Sequence, residues 1–314
     1  MNGVLCFGEA LIDFIPLNED NITYHKAPGG APANVSVGIA KLGGHTTFLG
    51  KVGEDVLGRF LQETLTDYKV NTNHLMFSAE ARTGLTFVTL DPSGERHFSF
   101  YIQPSADQLI TKDEINAELF ENHNIFHFGS ISQINEPSKS ATMQAIRLAK
   151  ENHMTISYDP NYRESLWLHE NDAREIILST IPLVDVLKVS DEELTFLTGC
   201  KTIEEGIKRL PNIPLVLITM GSNGCMYCFK EQLGHVSAIK AKAIDTTGAG
   251  DAFVSGILYS LYTSQQPLQQ LAVEELEAMI RFASISGGLA TMKKGAMSGL
   301  PTLEEIQSYQ LDVD

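Results

Sequence analysis

Residues 245–253, Asp-Thr-Thr-Gly-Ala-Gly-Asp-Ala-Phe, are the most informative segment of the chain, and a long stretch of apolar residues with helical spacing begins within them. Small residues let a backbone approach an anion closely, and the first turn of a helix presents unpaired N–H groups at a positive dipole end. The segment therefore predicts an anion cradle at Gly248, Ala249 and Gly250. Asp251 stands inside this cradle, where a carboxylate would repel a phosphate.

The residues alone leave two roles open for Asp251. As a general base it would take the proton of a hydroxyl whose oxygen attacks the terminal phosphate of a nucleotide. As a helix N-cap it would only stabilise the helix, by about 1 kcal/mol.

A second glycine-rich segment, residues 27–34 (Ala-Pro-Gly-Gly-Ala-Pro-Ala-Asn), precedes apolar residues at helical spacing. It predicts Asn34 in the first turn of a helix, where its amide can donate to and accept from a sugar. Upstream, residues 4–13 predict one buried strand with Asp13 at its carboxyl end, where α/β sheets bind ligands. Taken singly, Asn34 could instead be a helix-start residue and Asp13 a turn residue.

Short apolar runs alternate with amphipathic stretches along the rest of the chain, which predicts a mostly parallel sheet with helices on both faces. Two regions, residues 14–28 and 84–101, break this pattern, and the second predicts a hairpin around residues 91–94. The predicted strands are 125–128, 155–158, 184–189 and 215–219, and the predicted helices are 139–151, 172–179, 192–197 and 273–289.

The composition agrees with an intracellular globular protein large enough to be an enzyme. The 314 residues, 43% of them apolar, suffice for one large α/β domain with an insertion or for two ordinary domains. Four cysteines give no disulfide framework, the beginning shows no secretory pattern, and no apolar run approaches the ~20 residues that cross a bilayer. We therefore expect a cytoplasmic protein without a membrane partner.

A formal net charge of −16 argues against nucleic acid as a partner, because that binding depends on neutralising phosphates with Lys and Arg. ATP stays compatible with this charge, since Mg²⁺ and helix N-termini supply local positive potential. Cys225 and Cys228 have the spacing of a zinc pair, but no second pair accompanies them, so metal binding there is disfavoured.

Other phosphate-binding motifs fit poorly. Gly50-Lys51 is followed by Val52, and His45 stands where a P-loop needs its first glycine. The glycines of residues 248–253 partly match a dinucleotide fingerprint, but they lie late in the chain. A nicotinamide oxidoreductase is therefore a weak alternative.

The two glycine-rich segments, residues 29–34 and 245–251, resemble the two signatures of the ribokinase-like sugar kinase family. The resemblance extends along nearly the whole chain and is closest to fructokinases of the bacterial and plant type. Further matching segments are residues 50–53, 104–107, 159–163, 190–193 and 219–221, and those most similar to fructokinases are residues 6–9, 126–132 and 157–163.

This resemblance implies a ribokinase-like three-layer α/β fold, in which helices flank a mostly parallel central sheet and a small β-sheet forms a lid over the sugar. We expect one sugar kinase domain over residues 1–314, with lid segments inserted at about 14–30 and 84–104. Because lid-to-lid dimers occur in the family, a homodimer through the lid is an expected assembly.

The resemblance also implies ATP-dependent phosphorylation of D-fructose at the C6 hydroxyl. Asp251 would be the general base, and the amides of Gly248, Ala249 and Gly250 would form the anion hole. Arg163 follows a predicted strand end, where its guanidinium can hold an oxyanion bidentately. The implied sugar-binding residues are Asp13, Gly29, Gly30, Asn34, Asn161 and Arg163.

ATP and Mg²⁺ are the implied cofactors, with K⁺ as an expected activator. Glu193 matches a family position that helps to hold magnesium through water, although it could instead be a solvated helix carboxylate. The implied nucleotide-binding residues are Thr219, Gly221, Gly224, Gly248 and Gly250, and the implied potassium site consists of Asp245, Thr247 and Gly295.

Two departures from the family bear on the substrate and the metal. Ile102 stands where related kinases often carry Arg, which weakens the alternative of a 2-keto-3-deoxygluconate kinase, because that substrate carries a carboxylate. Ser190 stands where the family has Asn. Ribokinase activity and a non-catalytic sugar-binding relative stay open as alternatives, and the presence of Asp251 favours catalysis.

Overall fold

The computed structural model describes residues 3–91, 96–101 and 104–313. The predicted hairpin turn lies partly outside these residues, and Ile102 lies outside them. Thirteen strands are found within the described residues: β1 Gly3–Phe7, β2 Leu11–Pro16, β3 Tyr24–Gly29, β4 Thr46–Gly53, β5 Leu75–Ser78, β6 Leu85–Leu90, β7 Arg96–Tyr101, β8 His123–Phe128, β9 Thr155–Tyr158, β10 Val186–Ser190, β11 Leu215–Thr219, β12 Cys225–Phe229 and β13 Gln232–Val236.

In the same part of the chain, a helix begins at each of the two glycine-rich segments, as predicted. Their bounds are α1 Ala31–Lys41, α2 Val56–Asp67, α3 Glu118–Glu121, α4 Ser138–Glu151, α5 Glu170–Thr180, α6 Asp191–Thr198, α7 Ile203–Arg209, α8 Ala249–Ser264, α9 Val273–Ala290, α10 Ala296–Gly299 and α11 Leu303–Val313.

A nine-stranded sheet forms the centre of the molecule, in the order β13-β12-β11-β10-β9-β8-β1-β4-β5. The strands from β11 to β5 pair in parallel, and β12 and β13 extend one edge as an antiparallel hairpin. The predicted mostly parallel sheet is confirmed.

Two apolar cores lie on opposite faces of this sheet. In β1, Val4 and Cys6 belong to one core, which includes buried residues of α1, α8 and α9, whereas Leu5 and Phe7 belong to the other, which includes residues of α4. Successive side chains of a strand point to opposite faces, so a strand buried on both sides has a continuous apolar sequence. The predicted three-layer α/β fold is confirmed.

A separate four-stranded sheet has the order β3-β2-β6-β7. β2 pairs antiparallel with β3 and parallel with β6, and β6 pairs antiparallel with β7. This is the small sheet that the family resemblance implies for the two irregular regions, and its first strand begins slightly before residue 14.

The prediction of one strand over residues 4–13 is wrong. The chain leaves the large sheet after Phe7 and enters the small sheet at Leu11, so Asp13 lies within a strand of the small sheet. Gly8 makes this possible, because its φ of +146° is a conformation that side-chain-bearing residues rarely adopt. Because Ala10, Leu11 and Ile12 are apolar as well, the sequence does not reveal the change from one sheet to the other.

No helix in residues 3–91, 96–101 and 104–313 combines the length and the apolar character that a membrane span requires.

Candidate active site

A cavity of about 1230 Å³ lies between the small sheet and the ends of the central strands. Asn161 reaches it from the loop after β9, and Asp251 reaches it from the start of α8. Asp13 enters from β2 in the small sheet and Asn34 from the first turns of α1. The structure therefore brings together residues predicted to bind sugar and to catalyse.

Asp251 is the third residue of α8 and is only 8% exposed. Its Oδ2 accepts a hydrogen bond from Asn34 Nδ2 at 2.8 Å, and its Oδ1 accepts one from Asn161 Nδ2 at 3.3 Å. The alternative of Asp251 as the N-cap is wrong, because Gly248 holds that position with a φ of +79°. The carboxylate lines the cavity and makes no capping hydrogen bond within the described part of the chain.

Burial raises the pKa of Asp251 to about 6. The hydrogen bond from Asn34 and the charges of Arg163 and Lys188 oppose this rise, whereas nearby Asp159 adds to it. A carboxylate with a pKa just below neutrality is ionised at pH 7 and still basic enough to take a proton in a transition state.

Asp13 has a comparable environment where β2 borders the cavity. Burial raises its pKa to about 6, and Arg163 works against that rise. A Cβ at Gly29 would lie 2.2 Å from Asp13 Oδ2, so the glycine is required for the carboxylate to occupy its place. Gly30, with φ +103°, brings its backbone so close to the Glu9 carbonyl that a Cβ would lie 2.4 Å from that oxygen. A side chain at either position would clash with its neighbours, so both glycines are required sterically, apart from their predicted contact with sugar.

The start of α8 provides the predicted anion cradle in part. The Ala249 N–H donates to the Thr246 carbonyl at 3.2 Å, so that amide is already partnered. The amides of Gly248 and Gly250 have no backbone acceptor within the described residues. These two glycine amides are the ones left to face a phosphate.

Lys188 is a site residue that the sequence analysis missed. It is 9% exposed, lines the main cavity, and its Nζ donates to Asp159 Oδ2 at 3.0 Å. A Cβ at Gly250 would be 3.3 Å from this Nζ, so a positive charge lies beside the anion cradle. The signal was present in the sequence, because a lysine in the middle of the buried strand β10 is costly unless it is paired.

Glu9 is a second residue that the sequence analysis did not assign to the site. It lies in the turn between β1 and β2 and is 2% exposed. Its Oε1 accepts from the Ala31 N–H at the start of α1 at 2.9 Å, whereas Oε2 has no hydrogen-bond partner in the described structure. Burial raises its pKa to about 8, and the charges of Asp107 and Asp251 contribute.

A second cavity, of about 460 Å³, adjoins the first and shares Ala243, Thr246 and Gly250 with it. Its lining is mostly apolar and includes the predicted nucleotide-binding residues Thr219, Gly221 and Gly224. A largely apolar pocket next to an anion cradle suits an aromatic base followed by phosphates.

The three residues of the predicted potassium site lie together. Asp245 is buried, its Oδ1 accepts from the Thr247 N–H at 2.9 Å, and its Oδ2 accepts from the Gly295 N–H at 3.1 Å. Two loops distant in sequence are thereby joined beside the start of α8.

The Glu193 carboxylate accepts hydrogen bonds from two backbone N–H groups. Its Oε1 accepts from the Tyr162 N–H at 2.7 Å and its Oε2 accepts from the Ser190 N–H at 2.8 Å. Ser190 in turn caps α6 by accepting from the Glu193 N–H at 3.0 Å, which completes a capping box. The alternative of a freely solvated carboxylate is wrong. Glu193 lines a cavity of about 570 Å³ that borders the main one at Asn161 and Lys188.

Arg163 lines the main cavity from the loop after β9 and is exposed. Its Nη1 donates to the Tyr162 carbonyl at 3.2 Å, and its charge is felt by both Asp13 and Asp251. The guanidinium therefore lowers the pKa of both carboxylates of the cavity.

The start of α8 lines both cavities and supplies a buried carboxylate and unpartnered glycine amides among the described residues, which are a base and anion donors of the kind that phosphoryl transfer uses. The family model described as pfkB family carbohydrate kinase matches residues 1–303. The chain belongs to this family, and it is an ATP-dependent sugar kinase.

Relatives and solved structures support the same assignment. Fructokinase-1 of Oryza sativa subsp. japonica is 44% identical over 311 residues, which cover 96% of this chain and 96% of the relative. A fructokinase from Xylella fastidiosa with bound ATP superimposes with a TM-score of 0.92 at 32% identity, covering 99% of each chain. A fructokinase double mutant from Vibrio cholerae O395, bound to fructose, ADP and a potassium ion, has a TM-score of 0.90 at 40% identity, covering 98% of each chain.

Proposed function

We propose that this protein transfers the terminal phosphoryl group of ATP to the C6 hydroxyl of D-fructose. The observation that carries the proposal is the position of the α8 start, because Gly250 lines both cavities and Asp251 faces the larger one. A sugar in the larger cavity and a nucleotide in the smaller one would meet at this segment. The similarity to fructokinases along the whole chain supports fructose as the sugar.

In the proposed reaction, Asp251 takes the proton of the C6 hydroxyl as that oxygen bonds to the terminal phosphorus. The bond between this phosphorus and the bridging oxygen breaks, and ADP leaves with the electron pair. The amides of Gly248 and Gly250 and the Lys188 ammonium would stabilise charge on the transferring group, a contribution that is commonly worth several kcal/mol.

The sugar is proposed to be held from the small sheet and from α1. Asp13 would accept hydrogen bonds from sugar hydroxyls. The buried Oδ1 of Asn34, which has no partner among the described residues, would be a further acceptor. Arg163 stands close enough to influence both carboxylates of the cavity. The small sheet would act as a lid that excludes water, which would otherwise compete with the sugar for the phosphoryl group.

Magnesium and potassium are the proposed ions. The two Glu193 oxygens already accept backbone hydrogen bonds, so they fit Mg²⁺ through bridging water rather than by direct displacement of those contacts. Asp245 and Thr247, with the Gly295 loop, offer hard oxygen ligands suited to K⁺. When bound, Mg²⁺ would neutralise charge on the phosphate oxygens.

We also propose a homodimer formed through the small sheet. Asp13 faces the cavity, and aromatic side chains alternate with it on the opposite face, where Phe14 stacks on Phe87 at 4.8 Å and Tyr101 meets Phe87 edge-on at 5.5 Å. Tyr101 is 63% exposed.

The cytoplasm stays our prediction for the compartment.

The test is an assay of ATP consumption with Mg²⁺ and K⁺ against fructose, ribose, 2-keto-3-deoxygluconate, glucose, mannose, fructose 6-phosphate and adenosine. We expect kcat/KM for fructose to exceed those for ribose and 2-keto-3-deoxygluconate by at least about tenfold, which requires about 1.4 kcal/mol of differential transition-state binding. If kcat/KM is higher for ribose or 2-keto-3-deoxygluconate than for fructose, that sugar replaces fructose as the proposed substrate. No turnover with any sugar would favour a non-catalytic relative.

A further inference from the structure

A chain of contacts runs from Lys188 to the proposed general base. The Lys188 ammonium donates to Asp159 Oδ2 at 3.0 Å, and Asp159 Oδ1 accepts from the Asn161 N–H at 3.1 Å. The Asn161 side chain then donates from Nδ2 to Asp251 Oδ1 at 3.3 Å. We infer that Asn161 is a positioning residue for Asp251, and that Asp159 and Lys188 fix the backbone from which Asn161 reaches it. This inference rests on the proposed function.

The backbone at Asn161 gives the first reason. Its φ is +48°, in the left-handed region, which costs most residues roughly 1–2 kcal/mol and which Asn tolerates better than other side-chain-bearing residues. The Asp159 carboxylate holds this conformation by accepting the Asn161 N–H, and Lys188 holds the carboxylate. A locally unfavourable conformation is therefore maintained at a residue whose side chain ends on the base.

The next residue in the loop is fixed independently. The Tyr162 N–H donates to Glu193 Oε1 at 2.7 Å, and the Tyr162 ring stacks on Phe196 of α6 at 4.1 Å between ring centroids. The loop after β9 is thus attached to β10 through Lys188 and to α6 through Glu193 and Phe196. The amide of Asn161 consequently has little freedom to follow a moving ligand.

The geometry at Asp251 gives the second reason. Its two oxygens receive amide hydrogens from two different directions, from Asn34 in α1 and from Asn161 in the loop. Two such bonds fix the rotation of a carboxylate and favour its ionised form. Because the Asn161 donor is directed at the base, its loss should affect proton transfer more than sugar affinity.

The ionisable groups that influence Asp251 come from several elements. Burial raises its pKa, Asp159 adds to the rise, and Arg163 and Lys188 oppose it. Glu9, from the turn between β1 and β2, and Asp13, from β2, are also coupled electrostatically to Asp251. A variant at position 161 leaves all of these groups in place, so a change in the acid limb of the pH profile reports on the Asn161 contact.

The experiment compares Asn161→Gly and Asn161→Asp with the wild type. Glycine accepts the left-handed backbone and removes the amide, whereas aspartate keeps the shape and replaces the donor by a carboxylate. We expect both variants to lose at least about tenfold in kcat while the KM values for fructose and ATP change less than about threefold. The acid limb of kcat should move to higher pH in both variants, and further in Asn161→Asp.

His153→Gly is the matched control, because His153 is exposed and also has a left-handed backbone, with φ +55°. We expect its kcat and pH profile to be those of the wild type. A raised fructose KM with wild-type kcat at position 161 would make Asn161 a sugar ligand and overturn the inference. A lowered Tm with unchanged kcat and pH profile would overturn it as well.

The wild type separates this inference from the proposed function. If it phosphorylates fructose and the two Asn161 variants keep full kcat, only the positioning role is wrong. If the wild type phosphorylates no sugar, the proposed function falls and the inference falls with it.

Discussion

At the scale of single residues, the environment of Asp251 sets the expected pH dependence. The carboxylate must be ionised to accept a proton, and burial raises its pKa to about 6. Activity should therefore be nearly full above pH 7 and fall about tenfold per pH unit well below 6. The measurement is kcat/KM for fructose from pH 4.5 to 8.5.

Asp13 could also cause the fall in activity at low pH, the acid limb of the pH profile, since burial raises its pKa to about 6 as well. Asp13→Asn removes this group and keeps its size. If the acid limb persists in Asp13→Asn, Asp13 is not its source, as the role of Asp251 requires. A limb that disappears would assign the essential ionisation to Asp13 instead.

The sugar-binding role of Asp13 leads to a second prediction. Removing one partner of a buried polar contact costs roughly 1–3 kcal/mol, so Asp13→Ala should raise the fructose KM by about tenfold or more and leave ATP affinity nearly unchanged. Asn34→Ala should differ, because Asn34 also donates to Asp251, and should lower kcat in addition. Both Michaelis constants and Tm are measured, and an unchanged fructose KM in Asp13→Ala would remove that residue from the site.

At the scale of elements, Glu9 joins the turn between β1 and β2 to the start of α1. Its pKa rises from 4.5 to about 8 on folding, chiefly through burial. The folded state therefore keeps a proton that the unfolded chain releases, and the resulting stability is complete below pH 4.5 and is lost as pH rises through 8. Relative to Glu9→Gln, the wild type should become less stable over this range.

The measurement is Tm of the wild type and Glu9→Gln at pH 5 and pH 8.5. We expect the stability difference to shift in favour of Glu9→Gln by at least about 1 kcal/mol between these pH values. Glu118→Gln, at an exposed position, should show no such shift. A difference that is independent of pH would mean that Glu9 is ionised in the folded protein.

Most elements of the large sheet could be predicted from the sequence, because their apolar runs are continuous and the amphipathic helices between them are regular. The change of sheet within residues 4–13 could not, since apolar residues stand on both sides of Gly8 and Glu9 and are compatible with one continuous strand. The site was predictable where a residue follows a motif, as Asn34 and Asp251 do. Lys188 and Glu9 were missed because their roles depend on burial and on partners far away in the sequence.

At the scale of the whole molecule, the aromatic face of the small sheet predicts the assembly. If this face forms a homodimer, Tyr101→Glu should place a charge in the interface and convert the dimer to a monomer, because an unpaired buried charge is costly. Sedimentation at micromolar concentration measures the mass. Leu168→Glu, at a position 87% exposed and outside the small sheet, is the control. A monomeric wild type would contradict the dimer.

The two cavities meet at the start of α8, and the proposed reaction depends above all on Asp251 as the general base. The most direct test is kcat for fructose phosphorylation by Asp251→Asn, with Tm and ATP affinity measured on the same protein. Asn keeps the size of the side chain but cannot take the proton, so we predict a loss of ~10²–10⁴ in kcat with folding and nucleotide binding preserved. Near-wild-type kcat in a folded Asp251→Asn variant would contradict the mechanism.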